Sequence, residues 1–180
     1  MTNPLVPPPL RRRMACFVYE GVLMFGVVML TGLLYAGLFQ QRHALQGQRG
    51  LQLFVVVVLG LYFVTFWTRG RQTLPMKTWH IALVSAGGGP LGAGRAVARY
   101  AASWLWFLPA LLVGHLTGIK GGWPLAGLIG AGVLAHAATI WLHPSRQFLH
   151  DRLCGTRLID TRDPTQARRA ASGTMPRHEV

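Results

Sequence analysis

Glu20 is the only acid in the first 150 residues of a 180-residue chain, and it stands seven positions beyond Arg13 where a long apolar stretch begins. Seven residues make two helical turns, so both side chains share a face, about 10 Å apart along the axis. A carboxylate at that depth in a membrane costs on the order of 1–3 kcal/mol unless it is protonated, paired or reached by water. Glu20 therefore needs a partner from the end of another segment. Arg69, Arg71 and Lys77, Arg95 and Arg99, or the stretch from His150 to Arg152 could supply it. Two roles are open to such a group: an ion pair locking one helix to its neighbour, or an ion- or proton-binding site.

His115 and His136 lie within apolar segments, and a haem or metal shared between them would require them level. Their positions put His115 near the outer end of its segment and His136 well inside another, so shared ligation is not expected. His136 reads instead as a helix-to-helix hydrogen bond or a proton relay. Cys16 and Cys154 are far apart and lack metal-ligand spacing, so neither disulfide nor zinc is expected. No nucleophile with an adjacent base is recognisable, and the expectation is a protein that is not an enzyme and carries no cofactor.

Positioning these groups falls to four apolar runs: Gly21 to Phe39, Leu51 to Thr68, Tyr100 to Gly118 and Leu125 to Leu142. Each is long enough to cross a bilayer core. The expected fold class is an all-α membrane protein with four transmembrane helices near 14–39, 51–68, 100–118 and 125–142. Pro109 should kink the third, since proline removes a backbone donor. Trp67, Trp104, Trp106, Trp123 and Trp141 suit interfacial belts. Small residues four apart in the last run (Ala126 with Gly130, Gly127 with Ala131, Ala131 with Ala135) suit close helix packing. A cleaved leader fits poorly, because the apolar run is too long and Pro7 to Pro9 precede the basic cluster.

The net charge of +13 would suit nucleic acid in a soluble chain. Placed on four helices, however, the basic residues separate. Arg42, Arg49 and Lys120 fall on one side of the membrane, while the other fifteen of eighteen fall opposite. This imbalance places both termini in the cytoplasm and favours anionic headgroups over nucleic acid as the partner of that face. Residues 1–11 read as a proline-rich cytoplasmic arm, 12–161 as the membrane domain, and 162–180 as a flexible basic tail. Within the cytoplasmic segments, 80–85 and 156–160 have strand character. Because an unpaired strand leaves backbone groups unmet, these two should pair.

Three patterns now stand together: RRMACFVYE from Arg12 to Glu20, GRQTLPMKTW from Gly70 to Trp79, and HPSRQFLHDRLCGTRLI from His143 to Ile159. The chain in this respect resembles the RDD family of small bacterial inner-membrane proteins, named for one arginine and two aspartates. The likeness covers roughly residues 10 to 161. It assigns the arginine to Arg13 or Arg12, the first acid to Glu20 in place of aspartate, and the second to Asp151. With Gln72, Thr73 and His150, these form the candidate polar cluster. The resemblance implies a multi-pass inner-membrane protein, and transport, including cation–proton exchange, has been proposed for some members. Two functions compete. One is a non-catalytic subunit or assembly factor of a membrane complex, associating with other subunits or with itself. The other is a small oligomeric transporter or cation–proton exchanger using Glu20 and the His150–Asp151 region.

Overall fold

The computed structural model describes residues 6–39, 48–119, 121–142 and 146–162. The first helix, α1 (Leu10–Leu38), starts directly after extended Pro9, whose carbonyl accepts from the Arg12 and Arg13 amides. The prolines before it cannot donate to a helical ladder, and this sets the boundary. The second helix, α2 (Gln48–Arg69), runs back beside α1. Both are long and apolar enough to cross a membrane, as is the helix that starts at Gly122.

The third span departs from the single helix expected at 100–118. It begins earlier as α4 (Ala93–Ser103), tightens into a 3₁₀ turn at Trp104–Trp106, and resumes as α5 (Leu108–Leu116) after a bend of 42°. Pro109 occupies the first turn of α5, where its missing N–H is harmless and its ring blocks continuation of the preceding helix. The described residues thus hold three separate spans, and four where the bent pair counts as one. The last helix, α6 (Gly122–Ala138), ends in a 3₁₀ turn, Thr139–Leu142.

Helices α5 and α6 meet through glycine. A Cβ on Gly132 would lie 2.9 Å from that of Ala110, and one on Gly114 would meet Leu125 and Leu128 at 3.1 and 3.3 Å. The small-residue stripe noted in the sequence faces elsewhere. Ala126, Gly127, Gly130, Ala131 and Ala135 are exposed, and a Cβ on Gly127 or Gly130 would meet nothing within 4 Å.

One end of the bundle carries a polar cap built from α3 (Leu74–Thr78), β1 (Ile81–Ser85), α7 (Leu149–Leu153) and β2 (Thr156–Asp160). The strands pair antiparallel, from Ile81 opposite Asp160 to Ser85 opposite Thr156, as the strand character of both segments required. Two strands alone are marginal in stability. Here both outer edges are covered. The Arg71 carbonyl accepts from the Leu83 amide at 2.9 Å, and the Gln72 side chain donates to the Ile81 carbonyl at 2.8 Å. On the other edge the Gln147 amide acts as a short surrogate strand, accepting from the Leu158 N–H at 3.1 Å and donating to its carbonyl at 3.3 Å. All five residues of β1 are buried.

Several sequence expectations change on contact with this packing. Trp67 and Trp106 are core residues rather than belt residues, buried with Phe148 beneath the cap, whereas Trp123 and Trp141 remain exposed. Residues 6–9 of the expected arm are docked: the Val6 carbonyl accepts from the Asp160 amide at 3.1 Å, and Pro8 is fully buried. The outer loop across residues 40–47, with Arg42, and Lys120 lie outside the described residues, as does the tail beyond Arg162.

Candidate functional site

The polar side chains at the foot of the bundle separate into two groups. Around Glu20, Thr73 donates to Oε2 at 2.6 Å and Tyr62 donates to Oε1 at 3.1 Å. Thr73 is also the N-cap of α3, accepting from the Met76 amide at 3.4 Å, so one hydroxyl ties α1 to the start of the cap. The acid therefore turns inward as its depth demanded, but hydroxyls, not an arginine, receive it. Tyr62 was not legible as a partner, being one aromatic among many in α2; a lone phenol in an otherwise apolar span was the available signal.

The second group centres on Asp151, which is 0 % exposed. Its Oδ1 accepts from Arg99 Nε and Nη2, both at 2.8 Å, and from the Thr156 hydroxyl at 3.2 Å. Oδ2 has no partner among the described residues. Burial alone would raise this carboxyl's pKa; the Arg99 charge and hydrogen bond, with lesser help from His150 and Arg13, hold it below the usual carboxylate range. Arg99 lies in α4 with its guanidinium 4.3 Å above the Trp67 ring, so the pair joins α2, α4 and α7.

His150 Nε2 lies 3.5 Å from Asp151 Oδ1, and its Nδ1 lies 3.2 Å from His136 Nε2. A carboxylate at Nε2 favours the proton there, which leaves Nδ1 to accept from His136. His136 is thus a hydrogen-bonding member of the cluster, its ring tilted against Trp106 at 4.5 Å between centroids, while His115 is exposed at the far end of α5 and takes no part. Burial pushes the His150 imidazole down to about 4, reinforced by Arg99 and His136; Asp151 opposes the shift, but its charge is already met by Arg99. Among the described residues no cluster of histidine, cysteine and acid groups has the form of a metal site.

The adjacent arginines diverge because successive helical positions differ by about 100°. Arg12 donates to the Trp79 and His80 carbonyls and pairs with Asp160 at the end of β2, holding that carboxyl low against its partial burial. Arg13 donates from Nε to the Pro8 carbonyl at 2.8 Å and from Nη1 to the Arg146 carbonyl at 2.7 Å, with Phe148 beneath it. It is buried, not extended to the surface. Gln72 serves the sheet edge and touches neither acid. Between the two groups lies a cavity of about 310 Å³, bordered by Arg13, Glu20, Arg99 and His150.

Long apolar helices closed at one end by a buried ionic cap define a polytopic membrane protein. The RDD family model matches residues 7–155, and the chain belongs to that family. Comparisons with curated proteins and with solved structures each returned no match.

Because the folded imidazole of His150 titrates near 4 and an unfolded one near 6.5, the stability this residue contributes is complete above pH 6.5. It is lost as pH falls toward 4, by up to about 1.4 kcal/mol per pH unit. The melting temperature of the detergent-solubilised protein is expected to drop across that window, ahead of carboxylate protonation. His150→Gln should flatten the drop; a wild-type melting temperature constant from pH 7 to 4.5 would show that the imidazole is not held neutral.

Proposed function

We propose that this protein is a non-catalytic subunit or assembly factor of a bacterial inner-membrane complex, with the polar cap and both termini in the cytoplasm. The orientation rests on the placement of fifteen of eighteen basic residues on the capped side of a four-span chain. Arg11, Arg69 and Lys77 are exposed at that end, where each adds about 1 kcal/mol of attraction to anionic headgroups, and no nucleic-acid partner is invoked. Arg12, Arg13 and Arg99 are turned inward and do not contribute to that attraction.

The observation that carries the reading is the uncovered stripe of α6. Apolar side chains gain little by leaving lipid, so helices associate in membranes through small residues that let backbones approach. Ala126, Gly127, Gly130, Ala131 and Ala135 are exposed small residues, and among the described residues a Cβ on Gly127 or Gly130 would meet nothing within 4 Å, unlike one on Gly114 or Gly132. Gly127→Leu should leave the melting temperature of the isolated protein unchanged. The same change should abolish recovery of a stoichiometric membrane partner, or of a second copy, during gentle purification from native membranes. Wild-type protein that emerges alone and as a monomer would refute the proposal.

A small oligomeric cation–proton exchanger is the second reading, favoured by one observation: Glu20 borders a cavity and has hydroxyls, not a cation, as its partners. Glu20→Gln separates the two. The amide retains a single carbonyl acceptor for two hydroxyl donors, so a structural acid predicts lower yield with no pH-linked flux in wild-type proteoliposomes. An exchanger predicts normal abundance and loss of a flux that wild type displays.

A further inference from the structure

The cavity between the two polar groups has an unusual inventory of donors. Arg13 is 3 % exposed and Trp67 4 % exposed, both border the cavity, and each keeps one donor nitrogen without a partner among the described residues. The atoms are Arg13 Nη2 and Trp67 Nε1, each buried and unsatisfied among the described residues. A buried donor left unpaired is destabilising, and a charged one more so. Two of them bordering one space of about 310 Å³, a size within the range of small-molecule sites, ask for an acceptor that none of the described residues brings to them.

The rest of the cavity indicates what carries that acceptor. Its walls are aromatic, with Phe17, Phe63 and Trp104 among them, and its border extends from Arg13 to Met24 along α1 and to Leu59 on α2. The eleven helical steps from Arg13 to Met24 make a slot about 16 Å long. Gly21 sits on its border, is exposed, and would meet nothing within 4 Å if it carried a Cβ, so the slot opens there toward the hydrocarbon side of α1. The Arg13 end is cationic, the Gly21 end is open, and the walls between are mostly apolar, with the Glu20 carboxylate already held by Thr73 and Tyr62; the space matches a molecule with an anionic head and an apolar chain.

We propose that the cavity binds one anionic amphiphile. Its carboxylate or phosphate head accepts from Arg13 Nη2 and Trp67 Nε1, and its acyl chain leaves past Gly21 along α1. A guanidinium takes either anion through charge-assisted hydrogen bonds, so the head is that of a free fatty acid or of a phospholipid. The site is independent of the α6 stripe, and it shares its border with Glu20.

Equilibrium binding to the full chain in detergent, with radiolabelled oleate, dioleoylphosphatidylglycerol and methyl oleate as probes, tests this directly. Wild type should retain about one equivalent of an anionic probe at least tenfold more tightly than methyl oleate. Preference for oleate would identify a fatty-acid site, and preference for phosphatidylglycerol a phospholipid site. Trp67→Phe keeps an aromatic ring beside Arg99 while removing the indole N–H together with part of the ring; it should weaken anion binding about tenfold while methyl oleate binding stays unchanged. Gly21→Leu fills the open end at a position with free space around it and should block binding without lowering the melting temperature. Equal binding of methyl oleate, or wild-type affinity in Gly21→Leu, would overturn the proposal.

Discussion

The ion pair between Arg99 and Asp151 is the constraint on which the other contacts rest. A carboxylate removed completely from solvent is costly, and its attraction to one cation repays that cost only with good geometry and further hydrogen bonds. Oδ1 meets both conditions: two nitrogens of one guanidinium reach it, the Thr156 hydroxyl joins them, and the Trp67 ring supports the cation from below, while Oδ2 has no partner among the described residues. Because the partners come from α4 and α7, the pair fixes the soluble-side cap to the membrane helices. Gly155, at a positive φ of 60°, then turns the chain from α7 directly into β2. The sheet, its Gln147 edge and the docked residues 6–9 all follow from where that turn is held.

Glu20 fastens the other side of the same assembly by different means. The resemblance read from the sequence expects an aspartate at this position, and here the glutamate side chain reaches hydroxyls on α2 and at the start of α3. Neutral donors suit a group closer to the hydrocarbon, where a full ion pair would bring a second charge out of water. The cavity lies between these two anchors, bounded by the inner faces of α1, α2 and α4. Its unmet donors are consistent with a binding space that the two polar groups hold open.

Much of this was legible from residue order. Long uncharged runs have few alternatives to membrane helices, and two short strand-like segments on one side of a membrane could satisfy their backbones only by pairing. The inward turn of Glu20 followed from its depth. What could not be read was direction around a helix. Arg12, Arg13 and Arg99 look like surface cations by position, yet all three are buried, because carbonyls and acids distant in sequence converge on them. Trp67 and Trp106 resemble interfacial residues for the same reason. The early start of the third helix was hidden because Arg95 and Arg99 interrupt its apolar run, although a helix surface carries such residues easily. Gln147 gave no signal, since its role exists only once β2 has an open edge.

The dependence of the fold on the buried pair is measured most directly by a double-mutant cycle with Arg99→Gln and Asp151→Asn, read as unfolding free energy in detergent at neutral pH. Breaking a buried pair from one side typically costs about 3–5 kcal/mol, because the remaining charge is stranded. Each single variant should show a loss of that order, and the double variant should recover a substantial part of it, giving a coupling energy of at least about 2 kcal/mol. Losses that simply add, or single variants as stable as wild type, would contradict the account.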